Sequence, residues 1–145
     1  MTVTWTGSDN YEIDHYEVKI DEGAWIPKGT STSHTFTDLS EEAHTVYVKA
    51  YDKAGNSAQT SVSFTVDVTA PTVSITSPAE GTYLNTEDVT VYWTGSDNFE
   101  IDHYEVKIDS DPTWTNVGTN TQYTFNDLSE GSHTVYVKVY DKAGW

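Results

Sequence analysis

Trp5-Thr-Gly-Ser-Asp-Asn-Tyr-Glu-Ile-Asp-His-Tyr-Glu-Val-Lys-Ile-Asp21 is the stretch on which the fold turns, because it returns almost letter for letter as Trp93 to Asp109, with Phe99 replacing Tyr11. Within it Tyr16, Val18 and Ile20 fall on one side of an extended chain, and His15, Glu17 and Lys19 on the other. That period of two marks a strand with one face in a core and one in water. Trp5 shares its face with Val3, which makes Trp5 and its repeat Trp93 core anchors. A second block also recurs: Asp38-Leu-Ser-Glu41, His44-Thr-Val-Tyr-Val-Lys49 and Tyr51-Asp-Lys-Ala-Gly55 come back as Asp127 to Glu130, His133 to Lys138 and Tyr140 to Gly144. Here His44, Val46, Val48 and Ala50 are expected to point inward, and Thr45, Tyr47, Lys49 and Tyr51 outward; His133, Val135, Val137 and Val139 repeat the inward set. The copies are about 88 residues apart, a whole small domain and not a solenoid rung of ~20–50 residues.

The 145 residues suit one large domain or two small ones, and the duplication decides for two. Acidic side chains number 23 against 7 basic ones, a formal net charge of -16. Nothing would neutralise phosphates, so nucleic acid is excluded as a partner. The basic residues are all Lys, which leaves no guanidinium to grip phosphate or carboxylate through two bonds at once. Such a surface favours solubility and cation binding. Cysteine is absent, so disulfides neither hold the fold nor report the compartment. No apolar run approaches the ~18 residues of a membrane span, so no membrane insertion is expected within this segment. No signal peptide opens it, and an export signal is expected outside it.

Leu is scarce while Thr, Val, Tyr and Ser dominate, a composition of strands and turns with essentially no helix. Turn punctuation places the strands of the second copy at residues 72–77, 88–94, 103–109, 114–117, 122–125 and 133–140. The first copy runs from a strand at 2–6 to a last one at 60–66. Between the copies lies Asp67-Val-Thr-Ala-Pro71, a short connection in which Pro71 restrains Ala70 to extended geometry.

Short strands with turn signals at near-regular spacing point to antiparallel sandwiches. Val91-Tyr-Trp93, Tyr104-Glu-Val-Lys-Ile108, Asp127-Leu-Ser-Glu-Gly-Ser-His-Thr-Val-Tyr-Val137 and Asp141-Lys-Ala-Gly144, with Val66-Asp-Val-Thr-Ala-Pro71 between the copies, resemble the fibronectin type III-like and bacterial immunoglobulin-like repeats of prokaryotic surface proteins. The resemblance covers practically the whole chain. It implies an all-β chain of two tandem immunoglobulin-like (fibronectin type III-like) antiparallel β-sandwiches. Residues 1–67 form the first repeat, lacking its first strand; 68–71 are a linker; 72–145 form the second, lacking its last strand. The out-of-register ends read as a piece of a longer array, or as edges open to a strand from a neighbouring chain. Where such repeats usually carry a corner tyrosine, this chain has His44 and His133. The resemblance also implies calcium that stiffens the joints of an array.

Acidic residues crowd the loop tips: Asp9, Asn10 and Asp14, then Asp97, Asn98 and Asp102. With this strand order, the loop after the second strand and the loop before the last share the pole where the first strand enters. Asp97 and Asp141 are therefore expected near Asp67, with Asp102 as a fourth candidate. Three carboxylates suit calcium, which takes ~6–8 oxygens and fills the rest from carbonyls and water; Asp38 or Glu41 would add to this from the opposite pole of the first copy. The plainer alternative is that Asp and Asn cap their own turns. His15 and His103 stand beside Asp14 and Asp102, but neighbours on a strand point to opposite faces, so neither carboxylate is expected to orient the adjacent imidazole. There is no Ser-centred elbow, Cys nucleophile or helical zinc motif, and no catalytic set is assigned.

Trp25 and Trp114 occupy the variable segment between the repeated blocks, where they either cover a core rim or offer a stacking platform to a glycan. Tyr47 and Tyr136, with Tyr51 and Tyr140, interleave with Lys49 and Lys138 in a stripe suited to glycan or chain contact, or to cross-strand pairing of the Glu17–Lys49 kind. The expected function is a non-catalytic structural spacer or assembly module of an extracellular repeat protein: a surface stalk, adhesin, surface layer or filament, with calcium as its one cofactor. Its partners are neighbouring repeats, copies of the same chain, or glycan on a host or cell surface. A carbohydrate-binding accessory module of a secreted glycosidase, and a filament subunit that polymerises by strand complementation, are the alternatives.

Overall fold

The computed structural model describes residues 1–145 entirely as strands, turns and loops. The chain divides into two compact units, Met1–Asp67 and Val68–Trp145. The first contains β1 (Thr2–Thr4), β2 (Ile13–Ile20), β3 (Ile26–Gly29), β4 (Ser33–Thr35), β5 (Ala43–Asp52) and β6 (Ser57–Thr65). One sheet is β1-β4 and the other runs β3-β2-β5-β6, every pair antiparallel. Between them lie Val3, Tyr16, Val18, Phe36, Val46 and Val48, with Trp5, Ile13, Ile20, Leu39, Ala50 and Phe64 packed around them. Val3, Trp5, Tyr16, Val18, Ile20, Val46, Val48 and Ala50 are the side chains that alternation turned inward, so the period of the sequence sets most of this core directly.

The second unit contains β7 (Thr72–Ser77), β8 (Val89–Ser96), β9 (Ile101–Ile108), β10 (Thr115–Gly118), β11 (Gln122–Phe125) and β12 (Val135–Asp141). Its sheets run β11-β8-β7 and β10-β9-β12. Val91, Trp93, Tyr104 and Val106 are buried between them, and Val73, Val135, Val137 and Val139 close the periphery. The two units pair the repeated strands identically but differ at one edge of each sheet. β5 carries β6 along its length, whereas β12 pairs with β9 alone; β8 carries β7, whereas β1 pairs with β4 alone. This changes how far each strand extends. β5 is ordered from Ala43, while the same letters in β12 begin pairing only at Val135, past the expected His133.

Each Trp–Tyr pair is an edge-to-face contact, Trp5 with Tyr16 at 5.9 Å between ring centroids and Trp93 with Tyr104 at 5.8 Å. The glycine two residues after each tryptophan completes the arrangement. A Cβ on Gly7 or Gly95 would collide with the hydroxyl end of Tyr16 or Tyr104, so Trp-Thr-Gly and the tyrosine of the next strand are one packing unit.

Alternation fails at one point in each copy. In β2, Ile13 faces Asp52 and His15 faces Tyr51, so Asp14 is an extra residue with no opposite number; Asp102 is the same extra residue between Ile101 and His103. A β-bulge of this kind re-aims the side chains around it. Contrary to expectation, each carboxylate does reach its neighbouring imidazole: His15 Nδ1 lies 2.7 Å from Asp14 Oδ2, and His103 Nδ1 lies 2.7 Å from Asp102 Oδ2. The rings then stack flat on Tyr51 and Tyr140, at 4.5 and 4.6 Å.

Candidate functional site

In the second unit β7 begins beside the end of β8, with Thr72 opposite Ser96, and Asp141 closes β12. Asp97 therefore leaves β8 at the same end as Asp141, and Asp67 sits in the segment leading into β7. Within the second unit, carboxylate oxygens of Asp97 and Asp141 lie within 4.8 Å of one another. Asp97 Oδ2 accepts the Phe99 N–H at 2.9 Å, the turn-capping role that Asp9 plays for Tyr11 in the first unit. Asp97 Oδ1 is buried with no hydrogen-bond partner. Asp141 is 3% exposed. Its Oδ1 accepts the Gly144 and Trp145 N–H groups at 2.7 and 3.0 Å, and its Oδ2 is buried without a partner. Asp102, the fourth candidate, is not brought in. The bulge turns it toward His103 and toward the Lys142 ammonium, 3.9 Å away.

A second constellation occurs twice and was only half visible in the sequence. His44, 4% exposed, places Nδ1 2.7 Å from Asp21 Oδ2 and Nε2 2.9 Å from the Ser40 carbonyl. Asp21 Oδ1 also accepts the Thr45 N–H at 2.7 Å. Both ring nitrogens face acceptors, so satisfying both requires both protons and a cationic ring. The Asp21 carboxylate, then the Ser40 carbonyl, hold His44 above its ordinary value, while His44 and the Thr45 N–H hold Asp21 below its own. His133 repeats this with Asp109 at 2.7 Å and Ser129 O at 2.8 Å, with shifts in the same directions. The backbone bond is the one a corner tyrosine would make. Asp21 and Asp109 sit at φ 48° and 50°, a region that aspartate tolerates. The signal for them was that each first block ends on Asp and that His opens the His44–Lys49 and His133–Lys138 segments of the second.

The aromatic faces are occupied from above. Lys19 Nζ lies 5.4 Å from the Trp25 ring and 5.0 Å from Tyr47; Lys49 Nζ lies 5.3 Å from Trp25 and 5.5 Å from Tyr51. In the second unit Lys107 covers Trp114 and Tyr136, both at 5.2 Å, and Lys138 covers Trp114 at 4.3 Å. Glu17 is opposite Lys49 in register, yet the ammonium turns to the rings because their negative faces attract a cation. Trp25 and Trp114 are half-buried clamps, and Tyr136 is the more open ring at 45% exposure.

Fold and side-chain arrangement define a class of immunoglobulin-like β modules. Residues 71–137 match a family model described as a bacterial Ig domain. Exoglucanase B of Cellulomonas fimi is 32% identical over 99% of this chain, which covers 14% of that protein. Chitinase A1 of Niallia circulans is 32% identical over 99% of the chain, covering 22% of that protein. Halomucin of Haloquadratum walsbyi is 37% identical over 60% of the chain, covering 1% of that protein. The chain thus spans less than a quarter of each of these relatives. Among solved structures, the CbhA fibronectin(III)-like modules of Clostridium thermocellum superpose with a TM-score of 0.62 at 18% identity, over 99% of this chain and 78% of that one, a likeness of fold. Residues 71–137 are thus similar to bacterial immunoglobulin-like domains, and the chain as a whole has a fibronectin type III-like fold. No helix in it is long and apolar enough to cross a membrane.

Proposed function

We propose that the chain is a tandem pair of non-catalytic spacer modules from a longer extracellular protein. The observation that carries this is what the two copies share. The repeated residues are the ones that build each module: the Trp–Tyr–Gly packing units and the His–Asp staples, with centroid distances of 5.9 and 5.8 Å and Nδ1–Oδ2 distances of 2.7 Å in both. A duplicated sequence that reproduces a shape, with variation confined to segments such as Glu22 to Pro27 and Ser110 to Asn116, suits a part whose work is to hold other parts apart. Kinship to stretches of an exoglucanase and a chitinase supports an accessory place beside a catalytic domain, and halomucin supports an extracellular one.

Carbohydrate binding is a weaker reading here, because lysines already lie over the Trp25 and Trp114 rings that a sugar would stack on. Retention of the purified chain on cellulose, chitin and an acidic polysaccharide separates the two. A spacer passes through all three. Retention that disappears in the Trp25→Ala, Trp114→Ala double variant would replace the spacer reading with a glycan-binding one.

A further inference from the structure

We propose that the peptide bond between Asp111 and Pro112, on the turn from β9 to β10, is a self-cleavage site: the Asp111 carboxylate attacks its own carbonyl carbon while the Lys107 ammonium supports the carbonyl oxygen. This stands apart from the spacer reading, because a spacer can have such a bond or lack it.

The two copies act as controls for each other. Their turns close with the same bond, the Gly23 N–H to the Ile20 carbonyl at 2.9 Å and the Asp111 N–H to the Ile108 carbonyl at 3.1 Å. Asp111 therefore stands where the first copy has Gly23. The one residue that the second copy adds also falls here, since Pro112 and Thr113 lead to Trp114 where Ala24 alone leads to Trp25. Of the four prolines, Pro27, Pro71 and Pro78 follow Ile26, Ala70 and Ser77, so only Pro112 follows a carboxylate and a single cut is expected.

Lys107 and Thr113 converge on that bond. Lys107 Nζ lies 3.4 Å from the Asp111 carbonyl oxygen, the atom that becomes negative when the carbon is attacked. Thr113 donates its hydroxyl at 2.7 Å and its N–H at 2.9 Å to Asp111 Oδ1. Those two bonds, and behind them the Lys107 charge, hold the carboxyl below its ordinary range and keep it ionised in mild acid. Oδ2 accepts neither bond and is the oxygen that attacks. Asp111, Pro112 and Thr113 are exposed, so water and protons reach the site.

Oδ2 bonds to the Asp111 carbonyl carbon and closes a cyclic anhydride. The C–N bond to Pro112 breaks, its electron pair stays on nitrogen, and that nitrogen takes a proton from acidic solvent. Within the chain a proline nitrogen carries no hydrogen, so it leaves as a secondary amine. Water then opens the anhydride, and the sum is hydrolysis of one amide. The pieces stay together in the folded module, because β9 on one pairs with β10 and β12 on the other.

The test is incubation of the full chain at about pH 4, near the ordinary aspartate value, folded or unfolded in urea, with tryptophan fluorescence reporting the state. Denaturing electrophoresis and mass spectrometry should find pieces 1–111 and 112–145. An oxyanion donor in an enclosed site is worth about a hundredfold or more in rate, and water on an exposed turn weakens it, so the folded chain should cut at least about fivefold faster than the unfolded one. Lys107→Met should remove that advantage and leave the unfolded rate unchanged, which a merely structural role would not do; Lys107→Arg should keep it. Asp111→Ser should stop cleavage in both states. A folded rate no higher than the unfolded one overturns the proposal. So does an undiminished rate in a folded Lys107→Met chain, or a cut at another bond. Should Lys107→Met fail to fold, Lys107→Arg decides, its retained advantage supporting the proposal and its loss overturning it.

Discussion

Val18 and Val106 are the same residue of the repeat, both 0% exposed, and each sits in a separate core. Truncating either to alanine removes two methyl groups and leaves a void that closed sheets cannot fully collapse around, at a cost of about 2–3 kcal/mol. For a domain of this size each kcal/mol displaces the melting temperature by about 4–8 °C, so the affected unit should melt some ~10–20 °C earlier. The two clusters share no residue, so the other unit should stay where it was. Calorimetry of Val18→Ala and Val106→Ala would show this as an endotherm that splits, one component moving and one fixed. Amide resonances that vanish at the lower transition should belong to residues 1–67 in the first variant and 68–145 in the second. If both components shift together in either variant, the chain melts as one body and the reading of two self-sufficient cores is wrong.

Gly95→Ala should cost about 1–3 kcal/mol by forcing a methyl group against the Tyr104 ring; adding Tyr104→Phe, which removes the nearest atom, should recover part of it, and strictly additive effects in that double-mutant cycle would show that the ring is not the obstacle. The His–Asp staples set a pH window. His44 and His133 are held above their ordinary 6.5, so their contribution is complete below that pH and is lost as pH rises through the raised folded value. Asp21 and Asp109 are held below 3.8, so theirs is complete above that pH and is lost as pH falls through the lowered folded value. His44→Gln should therefore flatten the decline in melting temperature as pH rises above 6.5 through the raised folded value; a decline as steep as in the unsubstituted chain would refute the staple.

Most of the fold was legible because it is periodic. Strands 72–77 and 122–125 fall where turn punctuation put them, and the buried set Tyr16, Val18, Val46 and Val48 follows from alternation alone. The misses share one cause, in that each depends on what a strand lies against. The bulges at Asp14 and Asp102 exist only in the pairing with β5 and β12, so a rule about successive residues on one strand could not reveal them. Lys19 and Lys49 turn to Trp25 because the segment before β3 brings the indole across them, a contact that no spacing encodes. Asp97 and Asp141 were legible as neighbours because the order of strands fixes which loops share a pole. Asp102 was not separable from them, because its departure is itself a product of the bulge.

The same letters in two settings show where local sequence stops deciding structure. His44 and His133 head identical hexapeptides and make the same pair of hydrogen bonds, so that geometry is local, fixed by Asp21 or Asp109 and the preceding turn. Their exposure differs: the His44 side chain is 5% accessible and that of His133 is 23%. The difference comes from β6, which lays Phe64 against His44 at 5.9 Å and has no counterpart beside β12. Asp52 and Asp141 diverge more sharply. One changed letter, Asn56 against Trp145, turns a carboxylate that is used up by its own turn into one with a buried oxygen to spare. A repeat can thus keep every residue that makes its fold and still differ in which polar atoms it leaves unpaired, because that pairing depends on the one hydrogen bond that the fold does not require.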